Sequence, residues 1–364
     1  MQMKLIKDRY ESFDFLKAMA IFMVVIYHCN NLKPDLTVNQ DGLSLLYYFA
    51  QSILSACVPI FFFVNGALLL NKEFNLKSHL FKLLKMGLLT VAWGIITLLL
   101  LMPINNEFMT LSEFSKNVLK LKTDWNDHLW FLQAMTVIYV FFPLLKTTFV
   151  HNRNQVIFFL SFAFLMTFGN AFLSAGVNVI GLITGKNSVV ENRNFFFDFN
   201  AFRGIYGFSF VYFILGGFFF GMRDKFRSKK WVMLAAAGIL ISMLLLTAYG
   251  VIMSRYYGID FDIVWNGYDT IPTFLMVLGF AILSLQYRGT GKISKLVNAI
   301  GRNSLGIYFV HRIWGLQLLK YFKEIPYSHS LVANIIFSGF ITILSLFTVL
   351  LLKRIPIVRR LFII

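Results

Sequence analysis

Residues 13–29 read FDFLKAMAIFMVVIYHC, and this stretch decides the fold class. From Ala18 to Tyr27 it carries no charge, and its whole length approaches the roughly 20 residues needed to cross a bilayer as a helix. Comparable apolar blocks follow at Leu45–Leu70, Phe81–Met102, His128–Val150, Val156–Leu173, Gly204–Met222, Trp231–Met253, Thr270–Leu285, Ser304–Tyr321 and Leu331–Leu352. Hydrophobic residues make up 58% of the chain and charged ones 14%, whereas a soluble domain carries about a quarter charged residues. The 42 phenylalanines are too many for one aqueous core. The expectation is an all-α polytopic membrane protein with about ten transmembrane helices. It forms one transmembrane unit over residues 1–364, with no repeat, linker or appended soluble domain.

The net charge of +17 does not point to nucleic acid. A nucleic-acid footprint gathers on one soluble face, but here the cations sit in short connections between apolar blocks. With the N-terminus inside, the inner connections hold 22 of the 34 Lys and Arg residues, whereas 12 of the 17 acids fall outside. Cytoplasmic loops carry the Lys/Arg excess, so ten spans with both termini in the cytoplasm satisfy the pattern. No cleavage site follows the first apolar run, which therefore reads as a retained helix. Cys29 and Cys57 lie inside apolar segments and read as buried free thiols. Pro59 is expected to kink the second span. Gly216, Gly217 and Gly221 are read as close-packing positions. Two outer connections are long, Pro103–Asp127 and Ser174–Arg203. The run Asn192 to Phe199 in the second mixes polar and aromatic groups, as an interfacial belt or an acceptor-binding loop would.

Polar groups within hydrocarbon are costly, and each is a candidate for function. Lys17 and His28 are eleven positions apart, so at ~100° per residue they share a helix face, about 16 Å apart along the axis. Asp14 joins that stripe. The bland alternative has Lys17 snorkelling to headgroups while His28 sits at the opposite interface. His128 and Trp130 open the fourth span, where an aromatic belt is the competing reading. Ser304, Tyr308 and His311 follow i, i+4, i+7 spacing and share a face, with Arg312 beside them. No P-loop, dinucleotide fingerprint, H-E-x-x-H or G-x-S-x-G is present. The six histidines are too dispersed to indicate a metal site.

Four stretches together resemble the bacterial acyltransferase family three membrane proteins, which O-acylate surface and exported glycans. They are Phe13–Lys17 through Ile26-Tyr27-His28; Val58-Pro59-Ile60 through Asn65-Gly66; His128-Leu129-Trp130-Phe131-Leu132 with Tyr139 and Pro143; and Gly301-Arg302-Asn303-Ser304 through Tyr308 and His311. Lys17 stands where the family usually has Arg, keeping the charge but losing the bidentate fork. Asn65 stands where Ser is usual. The resemblance implies a multi-pass protein of the bacterial cytoplasmic membrane, surrounded by its lipids. It would move an acyl group, acetyl in the first instance, from cytoplasmic acyl-CoA to a hydroxyl of a cell-surface or lipid-linked glycan, with no tightly bound cofactor. On that reading His28 is the general base and His311 the reserve, because imidazole titrates near neutral pH. Lys17 attracts the donor's phosphates or steadies the oxyanion, and Asp14 orients Lys17. His128, Trp130, Ser304, Tyr308 and Arg312 are the expected substrate contacts. A transporter or flippase of a polyprenol-linked glycan, lined by the same groups, is the alternative; a membrane scaffold serving another transferase is a third reading.

Overall fold

Proline 59 sets the first departure from straight helices. It has no N–H to offer the carbonyl of Ser55, and its ring crowds that turn. In the computed structural model, which describes residues 10–363 except 33, 40, 123, 186–194, 197–198, 203 and 205, the chain answers with a 3-10 turn at Ile53–Ala56. That turn separates α2 (Gly42–Ser52) from α3 (Cys57–Leu69). Helix α1 (Glu11–His28) comes before them, and α4 (Leu76–Asn105), α5 (Leu111–Lys120), α6 (Trp130–His151), α7 (Arg153–Phe164) and α8 (Asn170–Thr184) follow. The second half comprises α9 (Phe208–Met222), α10 (Lys229–Tyr257), α11 (Ile271–Ser284), α12 (Gly291–Arg302), α13 (Ser304–Lys323), α14 (Leu331–Leu352) and the short α15 (Pro356–Arg359). There is no strand among the described residues.

Each of the ten segments read as spans contains a helix, the sixth starting only at Phe208. Six are both long and apolar enough to cross a membrane: Gly42–Leu69, Leu76–Asn105, Asp127–His151, Arg153–Thr184, Lys229–Tyr257 and Leu331–Leu352. Of the other four, α9 and α11 have only 15 and 14 residues. The remaining two, α1 and α13, are interrupted by charges at Asp14, Lys17 and Arg312. These four lean on protein more than on their surroundings. Phe210, Val211, Tyr212, Phe213 and Ile214 of α9 are all at most 2% exposed.

Two expectations for the connections change. The Ser174–Arg203 loop starts later, because α7 continues through a π-helical turn at Leu165–Gly169 into α8 and ends only at Gly185, in the left-handed region at φ 67°. Asn178 keeps the added turns docked by donating to the Tyr249 hydroxyl at 3.0 Å. Of the Asn192–Phe199 run, residues 192–194, 197 and 198 lie outside the described set. The Pro103–Asp127 connection contains α5, started by a capping box between Thr110 and Glu113.

Helices α3 and α9 cross with their backbones close together. A Cβ on Gly66 would run into the Phe213 carbonyl, and one on Gly216 into the Phe63 carbonyl. Gly217 is tight against Leu70, but Gly221 has open space beside it, so only two of the three glycines read as packing positions serve that purpose. Helix α1 lies at the centre, touching α3, α11, α12, α13 and α14. Its first turn meets Gly301, where a side chain would strike the Asp14 carbonyl. Just past the end of α14, Lys353 Nζ donates to Asn303 Oδ1 at 2.7 Å. The starts of α1 and α13 and the end of α14 therefore share one end of the bundle.

Candidate functional site

The end of α1 farthest from the chain termini brings together three histidines that are far apart in sequence. His28 closes α1, His128 sits in the 3-10 turn Asp127–Leu129 that leads into α6, and His311 lies two turns into α13. Ring centroids are 5.6 Å apart for His28 and His311, 5.5 Å for His128 and His311, and 6.4 Å for His28 and His128. His128 and His311 are at most 2% exposed, and His28 is partly exposed. The i+4, i+7 spacing places Tyr308 and His311 on one face as expected, and the Tyr308 hydroxyl donates to the His128 carbonyl.

Hydrogen-bond partners fix the proton positions on two of these rings. His311 Nδ1 faces the carbonyls of Tyr308 at 2.7 Å and Ile307 at 3.2 Å. A carbonyl only accepts, so Nδ1 carries the proton and Nε2 of the neutral ring presents a lone pair. That Nε2 is buried and has no partner, as are both ring nitrogens of His128. Leaving a buried polar atom unpaired costs about 1–3 kcal/mol, so three orphaned imidazole nitrogens in one place mark a site held for something else to bind. His28 is the reverse case. Arg312 Nη1 approaches its Nδ1 at 3.4 Å and its carbonyl oxygen at 3.4 Å. A guanidinium only donates, so His28 keeps its lone pair on Nδ1 and its neutral-state proton on Nε2.

Arg312 is the buried charge of the site, with its side chain 6% exposed. Its Nη2 donates to the Asp124 carbonyl at 2.6 Å and pairs with the carboxylates of Asp124 at 3.4 Å and Asp127 at 3.9 Å. The other end of α1 holds a second cluster. Lys17 pairs with Asp14 at 2.9 Å, while Arg302 reaches the other Asp14 oxygen at 3.7 Å. Asp14 is 2% exposed and thus bridges two cations in a protein-lined spot.

Two expected contacts lie elsewhere. Ser304 is buried at the start of α13, about 10 Å along the helix from His311. Trp130 turns from the histidines towards Tyr206, Trp265 and Tyr268, at centroid distances of 4.9, 5.1 and 5.9 Å. Sequence reasoning missed Arg302, Asp124 and the Asp262–Tyr27 bond of 2.5 Å. Arg302 lies inside the fourth motif stretch but was given no role, and Asp124 lies four residues before His128, so a wider window there would have raised it. Nothing local marks Asp262. Among the described residues no group of three or more His, Cys, Asp or Glu side chains is arranged to hold a metal ion.

Comparison with known proteins adds one decisive observation. A family model described as an acyltransferase domain matches residues 10–354, nearly the whole chain. The chain belongs to acyltransferase family three. The match reaches from α1 through the end of α14, so both clusters lie inside the acyltransferase domain. No curated protein and no solved structure matches the chain.

Proposed function

We propose that this acyltransferase takes an acyl group, acetyl in the first instance, from cytoplasmic acyl-CoA and delivers it to a hydroxyl of a cell-surface or lipid-linked glycan. In this reading the ten helical segments all cross a bacterial cytoplasmic membrane, with the chain termini and the Asp14–Lys17–Arg302 cluster on the cytoplasmic side. The one-sided charge pattern of the connections supports that orientation. The observation that carries the proposal is the convergence of three imidazoles, two of which, His128 and His311, hold buried ring nitrogens without a partner.

A sugar hydroxyl is a weak nucleophile at neutral pH and needs a base. The hydroxyl oxygen attacks the thioester carbonyl, the new C–O bond forms, and the C–S bond breaks. The hydroxyl proton passes through imidazole to the departing CoA thiolate. The hydrogen bonds favour His311 as that base, since its Nε2 lone pair is free, and give His28 Nε2–H the role of donor to the developing oxyanion. This reverses the order expected from sequence, in which His28 was first. Arg312 places positive charge beside the histidines, and Tyr308 fixes the turn that carries His128. Lys17, held by Asp14, and the nearby Arg302 supply cations for the donor's phosphates.

The test uses purified protein in detergent or vesicles, given acetyl-CoA labelled in the acetyl group and a panel of saccharides. Protein-dependent formation of a labelled sugar ester supports transfer. Passage of a lipid-linked glycan across vesicles without acylation refutes it in favour of transport.

A further inference from the structure

The aromatic side chains beside the histidines form a separate feature. Trp130 is met by Tyr206, Trp265 and Tyr268, and Trp265 contacts Tyr268 at 5.6 Å. Rings of an interfacial belt point outward to lipid, each on its own helix. These instead converge from the start of α6, the approach to α9 and the 258–270 connection. Trp265 remains 44% exposed although its neighbours Ile263, Val264 and Tyr268 are buried. Tyr206 is held at φ 52°, a region costly for a bulky L-residue. Its ring is thus kept at Trp130 against the preference of its own backbone.

The same connection is tied to the histidine cluster. Asp262 Oδ1 accepts from the backbone N–H groups of Val264 at 2.9 Å and Trp265 at 3.0 Å, fixing the turn that presents Trp265. Its Oδ2 accepts from the hydroxyl of Tyr27, the neighbour of His28. The turn that presents Trp265 is therefore bonded to the end of α1 that carries His28, and the Trp130 ring faces this turn rather than the imidazoles. The rim nearby is acidic, with the side chain of Asp124 83% and that of Asp127 38% exposed.

We propose that the rings of Trp130, Trp265 and Tyr206 form the acceptor platform, and that it takes an uncharged or amino-bearing sugar ring and excludes anionic ones. This rests on the acyl-transfer reading and names the acceptor class for it. A pyranose presents a face of C–H bonds that packs on an aromatic plane, while its edge hydroxyls stay free to bond with carboxylates. Asp124 and Asp127 set two negative charges against the one positive charge of Arg312, and the net negative rim favours hydroxyl or ammonium donors and repels a uronate or phosphate.

The experiment measures binding without chemistry. Saturation-transfer NMR is recorded on the detergent-solubilised protein, without acyl-CoA, using neutral glucose, galactose, mannose and N-acetylglucosamine oligomers and a matched oligogalacturonate. Wild type is expected to bind at least one neutral oligomer at least tenfold more tightly than the uronate. Trp265→Ala should weaken that binding about tenfold, the scale of one lost aromatic contact, whereas Trp265→Phe should stay within a few-fold of wild type. Asp124→Asn should narrow the gap between neutral and uronate ligands. No binding of any neutral oligomer, or binding indifferent to Trp265→Ala in a protein of unchanged melting temperature, overturns the platform. Sugar binding with no acyl transfer would sink the transferase reading alone; acyl transfer indifferent to Trp265 would sink the platform alone.

Discussion

Replacing His28 by Gln separates a hydrogen-bond donor from a base. The Gln side-chain amide can place an N–H close to where His28 Nε2–H lies, but it cannot accept a proton at neutral pH. In the assignment drawn from the Arg312 contact at 3.4 Å, His28 donates and never titrates during turnover. Losing an oxyanion donor costs about 10²–10³ in kcat, or ~3–4 kcal/mol. His28→Ala should fall in that range, and His28→Gln should recover at least about tenfold of the loss. His311→Gln has no such recovery available. Its Nε2 lone pair becomes an amide, so it should match His311→Ala, at about 10²–10⁴ below wild type. The assay is initial-rate acetyl transfer at saturating acetyl-CoA, with each variant's melting temperature confirming its fold. If His28→Gln is as inactive as His28→Ala while His311→Gln retains activity, the proton assignments are wrong and His28 is the base.

Three further outcomes follow from particular contacts. Asp14→Asn leaves Lys17 and Arg302 facing each other with only a neutral amide between them, so the melting temperature should drop and the KM for acetyl-CoA should rise; unchanged values in both would remove Asp14 as the organiser of that cluster. Gly216→Leu must push α3 from α9, because the Phe63 carbonyl occupies the Cβ position, so little folded protein should be recovered in detergent, whereas Gly221→Leu should be recovered at wild-type yield. Burial raises Asp269, in the connection before α11, to about 6 from the ordinary 3.8. The folded state thus favours its protonated form, and the resulting stability is present below about pH 4 and lost as pH rises through 6. Asp269→Asn should flatten that part of the stability profile, and an identical wild-type and variant slope across pH 4–7 would show that Asp269 does not titrate there.

Much of this was legible because bilayer chemistry leaves bold marks in sequence. Long apolar runs gave every helix that the ten readings named, and periodicity alone put Tyr308 and His311 on one face. The Lys17–Asp14 pair was readable because its partners are one turn apart. Local pattern could not show that His128 and His311 meet, since 183 positions separate them and packing decides it. It also could not decide which ring nitrogen carries a proton, which depends on backbone carbonyls inside α13 and on Arg312 arriving beside α1. The part of α8 from Ser174 onward was read as loop because Asn170 and the small residues after it, Ser174, Ala175 and Gly176, blur the end of the apolar run. They persist in helix here because the later Asn178 docks against α10. Trp130 was placed with the histidines by proximity in sequence, but two residues of turn and helix rotate it to another face.

The central helix also works as a ruler. Lys17 and His28 stand at fixed positions on one uninterrupted α-helix, about 16 Å apart along its axis. A donor gripped by its phosphates at one mark and reacting at the other must carry its acyl group on an arm of that reach. Coenzyme A has such an arm between its phosphates and its sulfur. Acetyl phosphate holds acetyl and phosphate side by side and cannot touch both marks at once. The helix would thus choose among activated acyl donors by the reach of that arm, whatever lies beyond the carbonyl that His28 meets.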